Sequence, residues 1–117
     1  MPRVTLYHNP RCSKSRATLA LLRERDVELE IVEYLDAPLS RRELEQLRDR
    51  LGQPATEWVR RKESAFSEAG LSARSSEDEI LAAIAAHPIL LERPIAVLGE
   101  RARIGRPPEQ VLELFDG

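Results

Sequence analysis

In Val4-Thr5-Leu6-Tyr7-His8-Asn9-Pro10-Arg11-Cys12-Ser13-Lys14-Ser15-Arg16 an extended segment gives way to a helical one, and the architecture follows from that junction. Val4, Leu6 and the aromatic Tyr7 favour extended backbone, and Asn9-Pro10 ends it, so a strand is expected over residues 4–8. From residue 13 to 25 the pattern becomes helical, with Leu19, Ala20 and Leu22 at helical spacings before Asp26. Residues 29–35 return to strand, with Leu29 and Ile31 on one face and Val32 and Tyr34 on the other. Strand, helix and strand joined by short connections make a βαβ unit, which predicts parallel strands and a right-handed crossover.

Beyond that unit the chain turns helical. Ser40-Arg41-Arg42-Glu43 is a capping box, and Leu44, Leu47 and Leu51 form an apolar stripe that stops at Gly52. Pro54 can open a short helix carrying Trp58, read as a packing residue, and Val59. Residues 64–69 suggest another, ended by Gly70. Ser76-Glu77-Asp78-Glu79 is a second capping box, leading into Ile80, Leu81 and Ile84; His87, before Pro88, suits the end of that helix. Strand periodicity resumes at 95–98 and 101–104 around a Gly99-Glu100 turn, and Pro107-Pro108 starts a last helix with Val111, Leu112 and Phe115 on its apolar face. The order is βαβ, a helical block, then ββα. It predicts an α/β fold with a four-stranded mixed sheet in one domain over residues 1–117, interrupted by a helical insertion at about 40–91.

The composition bounds the function. The chain has 117 residues, 42 % hydrophobic and 32 % charged, and a net charge of −2. That balance argues against a nucleic-acid partner, which calls for a basic surface. No apolar stretch nears the roughly 20 residues that cross a bilayer, and the first residues lack a secretory pattern, so a cytoplasmic protein without membrane attachment is expected. Cys12 is the single cysteine, which excludes an internal disulfide and a cysteine-rich zinc site, and with only two histidines no metal is expected.

Cys12 lies where the first strand gives way to the helix. N–H groups at a helix start are unpaired and carry partial positive charge, so they bind anions and depress the pKa of a thiol placed there. Arg11, Lys14 and Arg16, with no acid among them, are expected to push the same way. Lone cysteines are often small buried hydrophobes, but no core periodicity runs through position 12. His8 is read two ways: a general acid or charge partner of Cys12, or a residue that holds the loop by hydrogen bonds.

The run from His8 to Arg16, together with Arg60, Arg93-Pro94-Ile95 and Ile104-Gly105-Arg106-Pro107, closely resembles the glutaredoxin-coupled arsenate reductase family over nearly the whole chain. The resemblance implies a thioredoxin-like fold with a cis Pro94 opposite the cysteine. It implies that Cys12 attacks arsenate, that Arg60, Arg93 and Arg106 hold the oxyanion, and that glutathione and glutaredoxin serve as external thiols. No bound cofactor is implied, and a monomer is expected. Arginine's planar fork suits a tetrahedral oxyanion and keeps its charge. Ser13-Lys14-Ser15 departs from the Gly-Thr-Ser that often follows the cysteine in the family's resistance enzymes. Two rival functions stay open, the first on the same fold and the second of a different class. One is a thiol transferase acting on glutathione conjugates or mixed disulfides. The other is a transcriptional regulator resembling the Spx proteins, many of which carry Cys-x-x-Cys where this chain has Ser15.

Overall fold

The computed structural model describes residues 2–115. Its central strand, β1 (Arg3–Tyr7), runs parallel to β2 (Glu28–Val32) on one side and antiparallel to β3 (Ile95–Leu98) on the other; β4 (Arg101–Ile104) pairs antiparallel with β3. The order β2-β1-β3-β4 is the expected four-stranded mixed sheet. Between β1 and β2 runs α1 (Ser13–Arg23), and a 3-10 helical segment, Pro108–Phe115, follows β4.

These elements form the first of two compact units, Met1–Ala37 with Arg93–Gly117. Its core is Val4, Leu6, Leu22, Ala96, Val111 and Leu114, with Leu19, Val27, Leu29, Leu98 and Phe115 packed against it. Alternation along β1 explains its first two members, since Val4 and Leu6 point to one face of the sheet and are fully buried there. Arg25 closes the rim, its guanidinium 4.3 Å from the centre of the Phe115 ring. Gly99 takes a left-handed φ of 60° in the β3–β4 turn, a conformation that suits glycine.

The second unit, Pro38–Glu92, holds α2 (Arg41–Leu51), α3 (Ser64–Glu68) and α4 (Glu77–Ala86), with 3-10 turns at Ala55–Glu57 and Pro88–Leu90. Both expected capping boxes form: Ser40 caps Glu43 and Ser76 caps Glu79, each reciprocally. The Glu77 carboxylate accepts the Ala55 N–H at 2.9 Å, and Arg41 pairs with Asp78. Leu44, Leu47, Trp58, Ile80, Leu81 and Leu90 are buried almost completely, and Trp58 donates its indole N–H to the Gln53 carbonyl at 2.9 Å.

Several boundaries differ from the sequence reading, each for a local reason. β2 stops at Val32, not at 35, because the Glu33 carbonyl accepts the N–H groups of both Asp36 and Ala37 and turns the chain. α1 ends at Arg23 as Glu24 and Arg25 bond back into its last turn. Trp58 closes the short helix after Pro54 with an extended φ of −131°, and Val59 bridges to Leu91 instead of continuing it. On the inner side of α1 the buried residues are Ser15, Thr18 and Leu22, so two polar residues occupy core positions that the leucine pattern did not mark.

One close approach ties the sheet to α1. Gly105 donates its N–H to the Pro94 carbonyl at 2.9 Å, and a Cβ at position 105 would lie 2.5 Å from Thr18 Oγ1 and 2.7 Å from Pro94 Cγ. Neither neighbour is a freely mobile chain end. Gly105→Ala is therefore expected to destabilise the protein by roughly 1–3 kcal/mol, as overpacking of a filled site does. Thermal unfolding checks this, and an unchanged Tm would show that the site has slack.

Candidate functional site

Strand direction brings the candidate residues to one end of the sheet. Tyr7, the last residue of β1, stands opposite Val32, the last of β2, and Ile95, the first of β3. Ile95 in turn stands opposite Ile104, the last of β4. The Cys12 loop, the Arg93-Pro94 entry to β3 and the Gly105-Arg106 exit from β4 therefore all lie at this end.

The loop between β1 and α1 is braced by its own backbone and by buried side chains. The Asn9 carbonyl accepts the Cys12 N–H at 3.0 Å, Asn9 Oδ1 accepts the Arg11 N–H at 3.0 Å, and Arg16 donates to the Pro10 carbonyl at 3.0 Å. Ser15 is wholly buried; its hydroxyl accepts the Asn9 N–H at 3.0 Å and lies 2.8 Å from His8 Nδ1. Cys12 occupies the N-cap of α1 with an extended backbone, half-buried.

Burial alone would push the Cys12 thiol up. The Ser15 N–H, the Arg93 guanidinium and the Lys14 N–H together outweigh it, and the pKa falls below its ordinary value. The side chains of Arg11, Lys14 and Arg16, expected from the sequence to do this work, are not among the causes. Arg11 and Lys14 are solvent-exposed, where water screens a charge, and Arg16 is turned onto the Pro10 carbonyl. The helix start and Arg93 supply the effect instead.

Arg106 completes the cation pair around the sulfur. Its Nε donates to the Arg93 carbonyl at 2.7 Å, and its Nη2 lies 3.8 Å from Cys12 Sγ. Both prolines that follow these arginines, Pro94 and Pro107, are joined by cis peptide bonds; the first was implied by resemblance and the second was not foreseen. Arg93 is driven toward its charged form: burial opposes this, but hydrogen bonding to Cys12 and to Tyr34 prevails.

His8 is buried, and its Nδ1 is paired with the Ser15 hydroxyl. Burial lowers its pKa; Glu33 works against that and Arg23 and Arg16 reinforce it. An imidazole held below its ordinary value is neutral near pH 7, which suits a loop-holding role better than that of a counter-charge to a thiolate. Arg60 belongs to the second unit, where its guanidinium meets Glu63 at 3.2 Å and Glu92 at 2.8 Å.

A strand leading to a thiol at a helix start, with a cis proline at the entry to β3, marks a thioredoxin-like protein, here with a guanidinium 3.8 Å from the sulfur. The chain belongs to the ArsC family, whose sequence model matches residues 7–114. It is 50 % identical over 113 residues to the uncharacterized protein YfgD of Escherichia coli K12, covering 95 % of each chain. It is 44 % identical to an arsenate reductase of Neisseria meningitidis serogroup B, covering 95 % of this chain and 97 % of that one. The solved arsenate reductase from Vibrio cholerae superposes with a TM-score of 0.90 at 46 % identity, over 96 % of this chain and 97 % of the other.

The Cys12 thiolate is open to direct measurement. Alkylation of Cys12 followed against pH is expected to give a midpoint below the roughly 8.5 of a free cysteine, and Arg93→Gln is expected to raise it. A midpoint at or above the free value in the unaltered protein would mean that the site does not activate its thiol.

Proposed function

We propose that the protein reduces arsenate to arsenite through Cys12, with glutathione and glutaredoxin as external thiols. The observation that carries this reading is the half-buried Cys12 sulfur with Arg93 and Arg106 beside it. Membership of a family that includes proteins named arsenate reductase supports it.

The Cys12 thiolate attacks arsenic(V), a sulfur–arsenic bond forms, and one arsenate oxygen leaves as water. Arg93 and Arg106 hold the oxyanion and offset charge as that oxygen departs. A glutathione thiolate then attacks the adduct. The sulfur–sulfur bond formed between glutathione and Cys12 releases two electrons to arsenic, which leaves as arsenite, arsenic(III). Glutaredoxin takes the glutathione by thiol exchange and returns Cys12 to its reduced state. With one cysteine in the chain, the second thiol comes from another molecule. A reaction that consumes reduced glutathione suits the cytoplasm, where thiols are kept reduced. A part for Arg60 in holding the oxyanion rests on the resemblance alone.

The test is arsenate-dependent turnover with glutathione and glutaredoxin supplied. Cys12→Ser is expected to abolish it with the fold intact. Arg93→Lys and Arg106→Lys keep the charge but lose the fork. Because a hydrogen bond to a charged group is worth ~1.5–3 kcal/mol, each should lower kcat/KM about tenfold or more. Arg61→Lys and Arg101→Lys serve as controls; these side chains donate to the Thr56 and Glu113 carbonyls. Arg60→Lys reports whether that residue joins the site. Equal behaviour of all five variants would overturn the arginine assignment. Turnover of glutathione mixed disulfides with none of arsenate would favour a thiol transferase.

A further inference from the structure

Arg11 and Lys14 flank Cys12 in the chain, yet neither side chain helps to activate the thiol, and the proposed steps leave both unused. Among the described residues neither has a hydrogen-bond or ion-pair partner for its side chain. Arg16 differs, since its guanidinium donates to the Pro10 carbonyl at 3.0 Å. The backbone that carries the two cations is fixed. Asn9 Oδ1 accepts the Arg11 N–H at 3.0 Å, and the Cys12 carbonyl accepts the Arg16 N–H at 3.0 Å to close the first turn of α1. That turn buries Ser15 wholly and leaves Arg11, Ser13 and Lys14 in solvent on either side of the half-buried Cys12. A molecule that reaches the sulfur from this side passes two solvated cations. Charge along this part of the chain is one-sided as well: no acid occurs before Glu24, in a protein whose net charge is −2.

We infer that Arg11 and Lys14 receive the carboxylates of the external thiol or disulfide that exchanges with Cys12, glutathione being the pertinent case. Water screens two exposed cations, so they exert little pull on a half-buried sulfur. The same exposure leaves them open to carboxylates arriving from solution. Charges at the rim of a site raise the encounter rate and orient the incoming molecule. A thiol that carries no anion gains nothing from them. Lys14 also falls in the Ser13-Lys14-Ser15 departure from the Gly-Thr-Ser of many resistance enzymes, so this recognition is a property of the present chain. The inference rests on reading Cys12 as the thiolate that exchanges with an external thiol, but not on arsenate being the substrate.

The experiment follows oxidation of Cys12 in the full chain by small disulfides. The thiolate attacks one sulfur, a bond forms between that sulfur and Cys12, and the other half leaves as a thiolate, so no further oxidant is needed. Glutathione disulfide, with more carboxylates than ammonium groups, is compared with cystamine, which carries ammonium groups alone. Both meet the same thiolate, so the ratio of their rate constants cancels any change in its intrinsic reactivity. At about 0.15 M salt, Arg11→Gln combined with Lys14→Gln is expected to lower the ratio of glutathione disulfide to cystamine roughly three- to tenfold, the effect of two exposed ion pairs. At about 1 M salt, where screening acts within ~3 Å, the variant and the unaltered protein should converge. Arg23→Gln is the control: nine residues beyond Lys14 on α1, it stands about 14 Å away, farther than the ~8 Å screening length at 0.15 M. Arg11→Lys with Lys14→Arg keeps both charges and should keep the ratio. An unmoved ratio in the double Gln variant would overturn the inference, as would an equal fall in Arg23→Gln or in the charge-preserving variant. A Cys12 that reacted with neither disulfide would refute the exchange reading itself. Absence of arsenate turnover would leave each of these outcomes readable.

Discussion

Everything assembled around Cys12 depends on the two-sided pairing of β1. A strand with a parallel neighbour on one side and an antiparallel one on the other gathers unlike chain ends at a single edge. β1 and β2 finish there, β3 begins there, and β4 returns there because it runs against β3. Residues distant in sequence, Cys12, Arg93 and Arg106, are brought together without a long functional loop. The register also enforces this, since a shift of one residue would turn Val4 and Leu6 out of the core. Apolar burial along β1 thus fixes where the polar chemistry stands.

At that edge two demands on the sulfur oppose each other. Excluding water strengthens every charge interaction at the site, yet it disfavours the thiolate itself. The fold settles the conflict with backbone N–H groups at the start of α1 and the Arg93 guanidinium. Exposed lysines and arginines would not suffice, being screened by solvent. The neutral, Ser15-bound His8 fits the same logic, because it stiffens the loop without competing for the thiolate's charge.

Much of this was legible in the sequence where the signal is local. The capping boxes at Ser40 and Ser76 need only three residues' separation, and both form as read. The strand–Cys12–helix junction is equally local. What escaped is set by partners far along the chain. Ser15 and Thr18 look like solvent-facing residues until Asn9, His8 and the Gly105-Pro94 turn are folded against them. Tyr34 reads as one more alternating strand residue, and only the Glu33 turn places it beyond β2. The basic run around Cys12 drew notice for its side chains, while the groups that act are two backbone N–H donors within it and an arginine 81 positions later.

Charge balance separates the arginines more sharply than sequence could. Arg106 Nη2 lies 3.8 Å from the Cys12 sulfur, and Arg93 helps to lower the pKa of the same thiol. Arg60 is held by carboxylates: Glu63 and Glu92 both meet its guanidinium within its own unit. For Arg60 to take part in the proposed chemistry it must give up at least part of that pairing. The same residue type, recognised by one motif, thus stands in two different energetic states.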